Sequence, residues 1–266
     1  MTPFFSTYDQ SYEKLLKEKY YEEHFYSSSD VDGYSKIVQI MFEYIKLSRG
    51  SLESLSLLDI GCGEGFVLKT AKTLGFRKVF GIEPSRMEAT KLTRLGYNVF
   101  SGLLEEYKQT DTNEKFDIIT LVFVLDAMKD PVKALEKIRG LIADNGLLYI
   151  RLGSRYGTPL LYQKNFTLTK PNKYVASYHP YYFTRSSLAN CLRVTGWEFE
   201  WLTNENCTHT TLMAKPIKPV PKEKLDMNAD GVYQYFIKWR LFSSVKYSPL
   251  VQKLKKPLKK VLQLEK

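Results

Sequence analysis

Leu57-Leu58-Asp59-Ile60-Gly61-Cys62-Gly63-Glu64-Gly65 decides the fold. The apolar opening predicts a buried strand, the glycines at alternate positions predict a loop, and the run after Gly65 predicts a helix. Alternate glycines remove the β-carbon wherever a ligand must touch backbone, and the N-terminus of the next helix offers unpaired N–H groups to that ligand. Glycine loops of this kind serve more than one class of nucleotide-binding enzyme, so the deciding residue is the acid at the end of the second strand. Glu83 closes Lys78-Val79-Phe80-Gly81-Ile82, where a carboxylate can accept both hydroxyls of an adenosine ribose.

Outward from this pair, Ser85-Arg86-Met87-Glu88 has capping-box spacing and starts a helix that runs to Leu95, with Gly96 as its stop. Phe116 to Val122 reads as the fourth strand, and Asp130-Pro131 opens a helix with Val132, Leu135, Ile138 and Leu141 on one face. Asp144-Asn145-Gly146 then turns the chain into a fifth strand, Leu147-Leu148-Tyr149-Ile150-Arg151. Thr184 caps a helix through Leu188, Cys191, Leu192 and Val194 to Gly196, and Trp197 to Leu202 with Thr208 to Ala214 form a closing antiparallel hairpin. Upstream, Tyr8 to Glu23 and Gly33 to Leu47 are helix-like, the second with Ile37, Ile40, Met41, Tyr44 and Ile45 on a stripe. Their rings, Tyr34 among them, either close over a bound ligand or only pack helices onto the sheet.

The spacing Asp-x-Gly-x-Gly-x-Gly at Asp59 to Gly65, with Glu83 and the Asp-Asn-Gly turn before the fifth strand, resembles the S-adenosylmethionine-dependent class I methyltransferases, in their small-molecule and glycan branch. The likeness runs from about Leu57 to about Ala214 and implies an α/β fold: a Rossmann-like, mostly parallel sheet closed by an antiparallel hairpin. It implies S-adenosyl-L-methionine as cofactor, no metal, and a cradle of Asp59, Gly61, Cys62, Gly63, Gly65, Glu83, Pro84, Leu103, Leu104 and Phe123. Within it Asp59 orients the loop or meets the cofactor's ammonium through water, Leu103 or Leu104 offers a backbone amide to adenine, and Phe123 lines the methionine end. The thiol of Cys62 reads as a small packing group.

Two departures matter. Many relatives carry an aspartate near the adenine where this chain has Leu103, and a Leu-Glu-His after the fourth strand where it reads Val124-Leu125-Asp126-Ala127. The candidates for taking a proton from an acceptor are therefore Asp126 and His179, the latter in Tyr178-His179-Pro180; each has a bland alternative as a helix-start or packing residue. His24 and His209 have no comparable sequence context.

Charge divides the chain. Residues 1–214 hold 26 Lys and Arg against 25 Asp and Glu, whereas 215–266 hold 13 against 4. A neutral body argues against a long phosphate track, since each phosphate contact needs its own cation. Cys62, Cys191 and Cys207 lack paired metal spacing, and their odd number fits a reducing, cytoplasmic setting better than a disulfide framework. The expected organisation is a helical cap over 1–50, the cofactor-binding core over 51–214, a proline-rich linker over 215–230, and a basic amphipathic helical tail over 231–266. That tail can lie on an anionic membrane as a peripheral device, or pack on the body or a second copy.

The function expected is O-methylation of a small molecule or a sugar or glycan intermediate. The alternatives are a cofactor-binding partner or regulator without catalysis, a nucleic-acid methyltransferase, and, last, a dehydrogenase. Leu121-Val122-Phe123-Val124 lacks the Asn/Asp-Pro-Pro-Tyr/Phe clamp of amino-directed base methylation, which argues against nucleic acid as a partner.

Overall fold

The computed structural model describes residues 28–109, 115–153, 181, 183–203 and 209–221. The expected helix from Tyr8 to Glu23, most of the insertion before Thr184 with His179 inside it, and the tail over 231–266 lie outside the described residues. The chain divides into two units, Met1–Leu225 and Asp226–Lys266.

Five strands, β1 (Ser56–Ile60), β2 (Lys78–Glu83), β3 (Asn98–Ser101), β4 (Phe116–Val122) and β5 (Ile142–Gly153), run parallel, and β6 (Trp197–Trp201) and β7 (His209–Pro216) complete the sheet. The strand order is β3-β2-β1-β4-β5-β7-β6, with β7 antiparallel to both of its neighbours. This is the expected mostly parallel sheet with a closing hairpin. Every residue of β1 is buried, as a strand covered on both faces requires. Leu57, Ile118 and Leu147 pack on one side under α1 (Ser28–Arg49) and α2 (Phe66–Thr73). Leu58, Ile119 and Leu148 pack on the other under α4 (Pro131–Leu141) and α5 (Arg185–Val194), α3 being Arg86–Arg94.

The order reverses at β1, whose neighbours are β2 and β4. In open parallel sheets that reversal splays the connections apart and leaves a crevice at the carboxyl ends of the strands. The glycine loop enters that crevice directly from β1.

Local chemistry explains the helix starts. Ser85 accepts from the amide of Glu88, Asp130 from that of Lys133 with Pro131 at the first helical position, and Thr184 forms a reciprocal capping box with Ser187. On α1 the buried face is Val38, Met41, Phe42 and Ile45, whereas Ile40, expected on that stripe, is 54% exposed. Val38 and Phe42 take its place because the buried stripe runs through them.

Two boundaries differ from expectation. Asp144-Asn145-Gly146 is not a turn preceding β5 but an irregularity inside it: Phe116 pairs with Ile142 and Ile118 already with Leu147. The hairpin also does not end at Ala214, for Lys215 and Pro216 pair with Glu198 and Trp197. Beyond it, the amide of Ile217 donates to the Gly196 carbonyl at 2.8 Å and that of Val220 to the Arg193 carbonyl at 2.9 Å. Pro216, Pro219 and Pro221 each lack an amide donor, yet the amides between them remain to fasten the segment.

Truncation is expected to read this difference. A chain ending at Leu225 should keep the apparent stability of the described unit, while one ending at Ala214 loses two strand pairs and both fastening bonds, at about 1 kcal/mol per net hydrogen bond. Thermal melting of the two truncated chains checks it, and equal melting temperatures would show that 215–220 contributes nothing.

Candidate active site

The loop between β1 and α2 folds back over the end of β2: the amides of Gly61 and Cys62 both donate to the Ile82 carbonyl, at 2.7 and 3.1 Å. This bend puts Gly61 at φ 70, and a β-carbon there would stand 2.6 Å from a methyl of Val124. Gly65, at φ 77, caps α2, and a β-carbon there would stand 2.5 Å from a methyl of Leu92. No side chain caps α2, so its first-turn N–H groups stand at the loop as donors for a ligand. Cys62 points inward, its sulfur 2.7 Å from where a β-carbon on Gly81 would lie, and burial pushes its thiol well above the usual range. It offers the site backbone only.

Glu83 is 2% exposed. One carboxylate oxygen accepts from the Gly63 amide at 2.7 Å and the other from the Ser85 amide at 2.8 Å, so the group ties the glycine loop to the end of its own strand. Pro84 lies in the chain between Glu83 and Ser85. Each carboxylate oxygen can accept more than once, which leaves the oriented group able to receive hydroxyls. Asp59, 3% exposed, accepts from the Thr120 hydroxyl on β4 at 2.6 Å. Burial raises its pKa to about 7; the Thr120 hydrogen bond opposes the rise and the nearby Glu83 charge adds to it. Two buried carboxyls on adjacent strands suit a ligand that brings hydroxyls and a positive charge.

Leu103 and Leu104 follow the end of β3. The Leu103 amide donates to the Glu106 carboxylate at 2.8 Å, and Leu104 is buried in the core. Glu106 folds back because Gly102 has no side chain; a β-carbon there would meet Glu106 at 2.7 Å.

At the end of β4, Phe123 has φ 60, the one non-glycine residue with positive φ among the described residues. That conformation costs on the order of 1–3 kcal/mol and persists only where surroundings enforce it. Its amide is held by the Arg151 carbonyl at 2.7 Å. Its ring meets His209 edge-on at 5.3 Å and Tyr34 at 6.5 Å, and Tyr34 meets Phe66 at 5.3 Å. The Arg151 guanidinium lies 5.7 Å from the Phe123 ring centre.

Asp126 is buried in a 3-10 turn, Leu125–Ala127, and its carbonyl accepts from the Tyr181 amide at 3.2 Å. His179 lies outside the described residues. The histidine that the fold does bring to the aromatic wall is His209, on the first residue of β7, its pKa lowered by burial and then by the Arg151 charge. Among the described residues no three His, Cys, Asp or Glu side chains are grouped to hold a metal.

A family model described as a methyltransferase domain matches residues 32–200, well over half of the chain. The chain belongs to the S-adenosylmethionine-dependent class I methyltransferases. It is an enzyme of that family, and its cofactor is S-adenosylmethionine. The tRNA U34 carboxymethyltransferase of Campylobacter hominis is 29% identical over 103 residues, which are 37% of this chain and 36% of that protein. The ubiquinone biosynthesis O-methyltransferase of Haemophilus ducreyi is 26% identical over 145 residues, 49% of this chain and 60% of that protein. The match thus spans between about a third and three fifths of these curated relatives. Among solved structures, magnesium protoporphyrin IX methyltransferase from Synechocystis PCC 6803 with bound SAH superposes with a TM-score of 0.55 at 14% identity, covering 73% of this chain and 90% of that one. At that identity the likeness is one of fold.

The methyltransferase sequence hid four participants: Thr120, Glu106, Arg151 and His209. Thr120 and Arg151 were visible as strand residues, but only the strand register places Thr120 beside Asp59, and only the pairing of β5 with β7 brings His209 to Phe123.

Proposed function

We propose that this methyltransferase transfers its methyl group to an oxygen of a small, ring-bearing or sugar-bearing acceptor. The observation that carries the reading is the wall of Tyr34, Phe66, Phe123 and His209, built where β4 and β7 reach the loop edge of the sheet. Such a wall offers area and shape to a compact acceptor. The near-neutral charge of residues 1–214 keeps nucleic acid the second reading, although one relative acts on tRNA by its name.

In this reading the cofactor cradle is Asp59, Gly61, Cys62, Gly63, Gly65, Glu83, Pro84 and Phe123. Glu83 receives the ribose hydroxyls, ionised Asp59 faces the cofactor's ammonium, and the loop backbone closes on the nucleoside. Leu104 contributes apolar support beneath adenine; the Leu103 amide must exchange Glu106 for the base if it takes part. The sulfonium supplies an already activated methyl, so the chain's task is to hold acceptor and methyl in line, which is worth up to roughly 7–11 kcal/mol in the best intramolecular cases. His209 and Asp126 are the described groups that can receive a proton near the transfer edge, and His179 joins them from sequence alone.

Incubating purified protein and S-adenosylmethionine with hydroxylated sugars, nucleotide sugars and phenols should give one product heavier by a single methyl. Tandem mass spectrometry then locates it. Methylation at nitrogen, or methylation of RNA with every small acceptor untouched, would replace this reading.

A further inference from the structure

Arg151 stands on β5 two residues before its end, directly opposite Thr211 of β7. Cross-strand partners share a face, so Tyr149 with Met213, Arg151 with Thr211, and Gly153 with His209 form one column rising toward the loop edge. One guanidinium nitrogen donates to the Thr211 hydroxyl at 3.0 Å, and the Tyr149 phenol lies on the same face two residues below. The Nε atom is shielded from water and has no acceptor among the described residues. Among the described residues no carboxylate forms an ion pair with Arg151; Lys91 pairs with Glu88 and Lys133 with Asp130.

A guanidinium has five N–H donors in a planar fork, and here a hydroxyl and an aromatic face engage only part of it. Holding such a cation partly away from water, with no counter-ion among the described residues, costs free energy that an anionic ligand would recover. Strand order tells which ligand. The glycine loop leaves β1 and the ribose acid ends β2, while Arg151 lies on β5, beyond β4 and Phe123. Neighbouring strands are about 4.8 Å apart, so the guanidinium sits roughly 10 Å sideways from the cofactor loop, past the ring that lines its methionine end.

We propose that Arg151 binds a carboxylate or phosphate on the methyl acceptor, with the Phe123 and His209 rings covering the acceptor's apolar part. This rests on reading the aromatic wall as the methyl-transfer edge. It narrows the acceptor to an acidic molecule, and the bound anion would also offset the repulsion between the guanidinium and the cofactor's sulfonium. A carboxylate has one other source at this site, the amino-acid end of the cofactor itself, and the test separates the two.

Calorimetry on the full-length chain begins with SAH and with 5′-methylthioadenosine, which lacks the amino-acid carboxylate. Benzoate, phenyl phosphate and the neutral benzyl alcohol are then titrated into protein saturated with SAH. Benzoate or phenyl phosphate is expected to bind at least tenfold more tightly than benzyl alcohol, and Arg151→Gln is expected to abolish that preference with SAH affinity changed less than threefold. The proposal is overturned if neither anion outbinds benzyl alcohol, or if Arg151→Gln keeps the preference. It is equally overturned if the variant weakens SAH tenfold but spares 5′-methylthioadenosine, which would give Arg151 to the cofactor. Should Arg151→Gln not fold, the wild-type preference and Arg151→Lys, which keeps charge but not the fork and should lose at least threefold on the anions, decide the matter. Wild-type protein that failed to bind SAH would instead undermine the cofactor cradle.

Discussion

Glu83→Ala is expected to weaken SAH binding by roughly 10- to 150-fold, the equivalent of the 1.5–3 kcal/mol typical of a hydrogen bond to a charged acceptor. The loss has two parts. The ribose hydroxyls lose an oriented carboxylate, and the Gly63 and Ser85 amides, now held at 2.7 and 2.8 Å, lose their common acceptor. The second part predicts a pattern that ribose contact alone does not: the glycine loop should loosen even without ligand. Hydrogen exchange of the Gly63 and Ser85 amides in the free protein should therefore accelerate in Glu83→Ala. Glu83→Gln keeps one acceptor oxygen and should fall between the two. Unchanged SAH affinity in the alanine variant would move the ribose to another residue.

The parts of this site that were legible in sequence are those fixed by local chemistry. Alternate glycines between an apolar run and a helix leave few other readings, and Gly61 and Gly65 do occupy positive φ under close packing. Ser85, Asp130 and Thr184 announce their helices through capping geometry that spans only three residues. Glu83 was legible because a strand's last residue has a fixed place relative to a crevice at the strand ends.

What sequence did not give depends on register between distant strands. His209 looked featureless because its neighbours in the chain carry no motif; its meaning comes from lying opposite Gly153, beside the Phe123 ring. The hydroxyl of Thr120 matters only because Asp59 is its partner in the parallel register. The carboxyl end of β7 lies beyond the expected Ala214 for a related reason. A proline removes one donor, and ending the hairpin at Ala214 because Pro216 follows neglects that Lys215 and Ile217 keep theirs. The Glu106 carboxylate at the Leu103 amide is likewise a contact that no motif announces.

Asp59→Asn is expected to make the free protein more stable and the cofactor-binding protein worse. The Asp59 pKa of about 7 in the folded chain lies above its ordinary value of 3.8, so the folded state binds the proton more tightly than the unfolded one. Its contribution is therefore favourable at low pH, falls as pH rises from about 4 to about 7, and is constant above that. About three pKa units correspond to a cost of up to roughly 4 kcal/mol once the carboxyl must ionise inside the protein. Asparagine keeps an oxygen for the Thr120 hydroxyl and carries no such cost. In urea unfolding between pH 4.5 and 8, the variant's advantage over wild type should grow with pH and then level off; a pH-independent difference would mean that Asp59 is already ionised in the free protein. The cofactor's ammonium rewards the ionised form, so wild-type SAH affinity should fall by up to tenfold per pH unit below about 7, whereas the asparagine variant should bind more weakly above pH 7 and lack that slope. Protonated Asp59 would thus be a conformationally quiet resting state whose charge the cofactor calls out, and the crossing of the two trends, stability up and binding down in one substitution, separates a binding carboxylate from one that merely props up the loop.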